Sequence, residues 1–118
     1  MASYFRRDNA ERGCLFVNAI AELAGRDPSF SPIARDFTKR LRAAFSNALS
    51  HAAADGAMEQ ELIARRARML TALLLGVWIA VRSDPAAAAA DCRAIALEIT
   101  SWGSSPRTSM RAGRGTKR

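Results

Sequence analysis

A chain of 118 residues has room for one domain with a modest core. Its 49% apolar and 25% charged residues are ordinary for a soluble globular protein, and two cysteines without metal-ligand spacing argue against a disulfide or zinc scaffold. The net charge of +7 is uneven: residues 103–118 hold Arg107, Arg111, Arg114, Lys117 and Arg118 with no acid, which leaves the body at only +2.

Residues 1–12 are expected to be an N-terminal remnant, or the end of a preceding helix. Tyr4, Phe5, Arg6, Arg7 and Asp8 put no apolar run behind a basic start, so they do not read as a signal peptide. Alanine is abundant, β-branched residues are few, and no alternating run of strand length occurs. The expected fold class is therefore all-α, a helical bundle of four to five helices.

The first helix is expected over about residues 13–24, with Gly25 as its stop. An earlier start, within residues 4–12, is left open. Leu15, Phe16, Val17, Ile20 and Leu23 make this helix largely apolar, and Asn18 and Glu22 form its one polar stripe. Asp27 with Pro28, and Ser31 with Pro32, each pair an N-cap residue with a proline.

The second helix is expected over about residues 32–54. Ile33, Phe37, Leu41, Ala44, Phe45, Ala48 and Leu49 recur at three and four. Arg35, Asp36, Lys39, Arg42 and Ser46 take the other side, and Asp55 and Gly56 end it.

The third helix, about residues 59–82, is the most informative part of the chain. Residues 69–81 contain no charge and are apolar on every side. Leu73, Gly76 and Ala80 lie on one side, Leu70, Leu74 and Val81 on a second, Leu75 and Ile79 on a third. A helix resting on one core needs only one apolar stripe. Arg68 and Arg82 bracket 13 uncharged positions, too few for a membrane span, which needs about 20. A second copy of the chain is the simplest cover, so a homodimer is expected. Ala72, Gly76 and Ala80 form a small-residue row suited to a close helix crossing, although abundant alanine would produce such a row without any contact.

Ser83, Asp84 and Pro85 restart the chain, and the fourth helix is expected over about residues 85–102. Ala88, Cys92, Ile95, Ile99 and Trp102 are spaced 4, 3, 4, 3, one seam of a helix–helix contact. Leu97 lies off it. The last two helices are thus expected to form an intermolecular four-helix bundle, with Ala72, Gly76, Ala80, Ala88, Cys92, Ile95, Ile99 and Trp102 at the interface. Residues 103–118 are expected to be a disordered basic tail.

The chain offers no catalytic constellation and is not read as an enzyme. His51 stands alone, no glycine-rich phosphate loop occurs, and neither metal nor cofactor is expected. Cys14 has no basic cluster beside it, and Cys92 on the seam reads as a small apolar residue.

The run Arg12, Gly13, Cys14, Leu15, Phe16, Val17, Asn18, Ala19, Ile20, Ala21, Glu22, Leu23 resembles the opening of the C-terminal domain of TetR-family transcriptional regulators. The order of elements over residues 13–102 is similar too. The resemblance implies a repressor's regulatory and dimerisation domain, with a small-molecule pocket and dimerisation through the last two helices. It also implies a helix-turn-helix ahead of this domain, for which residues 1–12 are too short. DNA contact is accordingly expected only through a missing N-terminal domain, or weakly through the basic tail.

For an unknown small apolar ligand, the candidate contacts are Phe16, Asn18, Ile20, Phe37, Leu41, Leu70, Leu74 and Trp78. Residues of these types are more often plain core than ligand contacts. Asn18 stands out as a polar residue in the most apolar part of its helix, and if buried it needs a partner. A cytoplasmic protein with no membrane partner is expected. The alternative is a small helical nucleic-acid-binding protein acting through its Arg-rich tail, where each neutralised phosphate would release counterions; the tail carries no aromatic residue for base stacking.

Overall fold

The computed structural model describes residues 13–53 and 58–103. These form four helices: α1 (Leu15–Leu23), α2 (Phe30–Ala52), α3 (Gln60–Ala80) and α4 (Pro85–Gly103). The described chain is all-α, as expected. The N-terminal remnant, the Asp55–Gly56 turn and the basic tail beyond Gly103 lie outside the described residues.

α1 starts two residues later than the expected 13, because Gly13 is not helical. It has a φ of 65°, in the left-handed region that glycine enters without penalty. A Cβ there would stand 2.9 Å from the carbonyl oxygen of Trp78 and 3.3 Å from side-chain atoms of Val81 and Arg82. Gly13 therefore lets the start of α1 lie directly on the C-terminal end of α3. Glu22 adds a long ion pair to Arg82 at 3.7 Å, which is weak because both groups are well exposed.

Two punctuation marks act differently from expectation. Gly25 does not take a positive φ; α1 closes instead through a turn in which the Arg26 and Asp27 amides both donate to the Leu23 carbonyl. α2 begins at Phe30, ahead of the expected Pro32. The carboxylate of Asp27 accepts from the Ser29 amide at 2.9 Å and from its hydroxyl at 2.6 Å. Ser31 is no cap: its hydroxyl reaches back to the Ala24 carbonyl at 2.7 Å and fastens the α1–α2 turn. Pro32 then falls in the first helical turn, where its missing N–H has no partner to lose.

The start of α4 matches expectation. Asp84 Oδ1 accepts the Ala87 amide at 2.9 Å, and Pro85 follows as the first helical residue.

The core has two parts. At one end, Val17 and Ala34 are buried where α1 meets α2, beside the rings of Phe16, Phe30 and Phe37. At the other, Leu49 of α2 packs with Ile63, Ala67 and Leu70 of α3, and Phe45, Met58, Ile95 and Trp102 close around them. Thr71 is buried too, with its hydroxyl donated to the Ala67 carbonyl at 2.7 Å. The guanidinium of Arg66 lies 4.4 Å from the centre of the Trp102 ring, a cation–π contact that holds the end of α4 on the start of α3.

Candidate functional site

The contacts expected for a ligand do not gather into one hollow. Phe16 and Phe37 lie with ring centroids 4.6 Å apart, and Phe30 stands 6.1 Å from Phe16. Asn18, Ile20, Leu41, Leu74 and Trp78 are half-buried. Leu70 belongs to the other end of the core, with Leu49 and Ile63. It also lines a cleft of about 160 Å³ between α3 and α4, together with Met69, Leu73, Ile95, Ile99 and Trp102. That volume is below the roughly 300–1,000 Å³ of ordinary small-molecule sites. Met69 and Leu73, which the sequence reading did not single out as site residues, belong to this cleft; their i, i+4 spacing was the available signal.

A larger hollow of about 630 Å³ lies beside the α1–α2 turn, lined by Ala24, Ser31, Ala34, Arg35, Thr38, Lys39 and Arg42. None of the expected ligand contacts lines it. Arg35, Lys39 and Arg42 were read as the solvated side of an amphipathic helix, and nothing in the periodicity separates a solvated face from a groove.

The residues expected at a dimer interface divide in two. Ala72, Gly76, Cys92 and Ile99 are exposed, and Ala80 is half-buried. A Cβ at Gly76 would meet nothing within 4 Å. Ala88, by contrast, is buried within its own chain, and Ile95 and Trp102 pack on the core of the same chain. The 4, 3, 4, 3 spacing marks a helix contact without naming the partner; for Ile95 and Trp102 that partner is the α2–α3 core of the same chain. Cys92, expected on the covered seam, lies open as a free thiol.

Around Gly76 lies an apolar surface. Met69 is 45% exposed, Leu73 40%, Ile79 50% and Ile99 40%. On α3 these positions alternate with Leu70, Thr71, Leu74 and Trp78, which face inward. The charge-free stretch thus has one face on its own chain and the opposite face uncovered.

His51 is exposed. Among the described residues, no group of three or more His, Cys, Asp or Glu could hold a metal ion, and no helix is long and apolar enough to cross a membrane.

Residues 3–101 match the family described as BetI-type transcriptional repressor, C-terminal. No curated protein and no solved structure matches the chain at a significant level.

Proposed function

The chain belongs to the family of BetI-type transcriptional repressor C-terminal domains, and from that premise we propose that it works as the effector-binding and dimerisation module of a TetR-like regulator. The observation that carries this reading is the uncovered apolar face of α3 and α4, centred on Gly76 with Met69, Leu73, Ile79 and Ile99 around it. Contiguous exposed apolar patches on a small domain mark interaction sites, and a self-complementary patch is what a two-fold dimer requires. Ala72, Gly76, Ala80, Cys92 and Ile99 would meet the partner. Ala88, Ile95 and Trp102 would hold α4 in register behind them.

A small apolar effector would enter between α1, α2 and α3. Phe16, Ile20, Phe37, Leu41, Leu74 and Trp78 would supply apolar contact and Asn18 would orient the ligand, whereas Leu70, packed at the other end of the core, would not take part. The Phe16–Phe37 contact, now 4.6 Å between centroids, would part to admit it. Because Gly13 ties the start of α1 to the end of α3, a shift of α1 would reach the dimer face through one backbone contact. The domain acts by binding, with no catalytic step, and a cytoplasmic location goes with that reading.

The test is the mass in solution by size-exclusion chromatography with light scattering. The expected value is twice the chain mass of 12.8 kDa. A well-folded monomer at working concentration would remove the reading, because the apolar face would then stand open in water without a partner.

A further inference from the structure

The groove beside the α1–α2 turn is independent of the apolar effector cluster and of the dimer face. We propose that it binds a small polyanion carrying phosphate or carboxylate groups. Three cations line it, Arg35, Lys39 and Arg42, and no described carboxylate does. The nearby acids are occupied elsewhere. Asp27 is held by Ser29, Asp36 pairs with Arg40 at 2.7 Å, and Glu22 lies 3.7 Å from Arg82.

The groove thus concentrates positive charge with no internal counter-ion among the described residues. Such a concavity raises the local concentration of anions. Arg42 gives the sharper signal. Its Nε is buried and has no hydrogen-bond partner, although a buried N–H donor ordinarily has one. Guanidinium donors match carboxylate and phosphate oxygens in geometry and charge.

Geometry narrows the ligand class. Arg35 and Arg42 are separated by about 10 Å along the helix axis at 1.5 Å per residue. The three cations stand at i, i+4 and i+7 on one face of α2, so an anion with more than one charged group can engage more than one of them at once. The hydroxyls of Ser31 and Thr38 are already donated, to the carbonyls of Ala24 at 2.7 Å and Ala34 at 3.0 Å. Recognition therefore falls to the three cations, against a wall formed by Ala24 and Ala34. The hollow of about 630 Å³ is of the size that small-molecule sites have. The lining is confined to the α1–α2 turn and the first half of α2, a footprint that suits a small anion better than a duplex.

The experiment is isothermal titration calorimetry on the full chain with pyrophosphate, with citrate, and with a short DNA duplex, at low and at physiological salt. One saturable site per chain is expected for pyrophosphate or citrate, and whichever binds more tightly distinguishes phosphate from carboxylate recognition. Lys39→Gln and Arg42→Gln should each weaken binding roughly tenfold, the scale of one charge-assisted hydrogen bond lost. Arg40→Gln, on a neighbouring face and paired with Asp36, should leave binding unchanged. If Arg42→Gln does not fold, as judged by circular dichroism, the exposed Arg35 and Lys39 carry the same test. No saturable binding of either small anion at low salt, variants that bind as the parent does, or binding of the duplex alone would each overturn the proposal. Light scattering on the same samples separates this outcome from failure of dimerisation.

Discussion

At the scale of single residues, Gly13 does more than its place in the sequence suggests. Read as the first residue of a helix, it lies instead outside α1 with a φ of 65° and under the Trp78 carbonyl. Any side chain there meets two separate objections, a strained backbone and a collision with backbone oxygen 2.9 Å away. The oxygen belongs to a helix and cannot swing aside as a flexible side chain could. Gly13→Ala is therefore expected to destabilise the domain by about 1–3 kcal/mol, measured by urea unfolding followed by circular dichroism. A loss below half a kilocalorie would mean that the start of α1 moves freely off α3. No sequence pattern distinguishes a glycine that begins a helix from one that allows a close approach, because the neighbour is more than sixty residues away.

At the scale of elements, the four helices were legible and their ends were less so. Periodicity at three and four located α2 and α4, a charge-free apolar run marked α3, and Asp84 with Pro85 identified the start of α4. The start of α2 was misread because two cap-and-proline pairs stood in a row and only packing decided between them. Ser31 was taken by the Ala24 carbonyl, which left the Asp27–Ser29 turn to open the helix. That turn has an acid-side signature. The Asp27 carboxyl is held below its ordinary value of 3.8, first by the Ser29 hydroxyl and then by the Ser29 amide. A carboxylate with a depressed folded-state value contributes stability that is present above the unfolded value and lost as pH falls through the folded one. Protection of the first-turn amides of α2 against hydrogen exchange should accordingly decline below about pH 4, and Asp27→Ala should show less protection at neutral pH with little further decline. An Asp27 carboxyl that titrates at or above 3.8 by NMR would show that the turn is not held this way. The groove flanked by Arg35, Lys39 and Arg42 was not legible at all, since its second wall, at Ala24, comes from the turn.

At the scale of the whole molecule, the charge-free stretch of α3 pointed to a second chain before any packing was known. The fold divides that stretch. Leu70, Thr71, Leu74 and Trp78 turn to the chain's own helices, while Met69, Leu73, Gly76 and Ile79 turn outward. Which residues fall on which side could not be read from a segment that is apolar all round; it required the positions of α1, α2 and α4. The outward set contains several large side chains, each worth about 1.5–3 kcal/mol if fully buried, so covering it would couple folding to association. Mass action then makes the thermal midpoint rise with chain concentration. Gly76→Arg is the substitution that separates the two processes. Within one chain its side chain enters open space, so the protomer should keep its helical content. In a close helix crossing it would insert bulk and an unpaired charge. Differential scanning calorimetry over a hundredfold concentration range should therefore show a rising midpoint for the parent chain, and for Gly76→Arg a lower midpoint that no longer depends on concentration. A variant whose midpoint still rises with concentration would locate the dimer contact away from Gly76, on a face of the molecule other than the uncovered one.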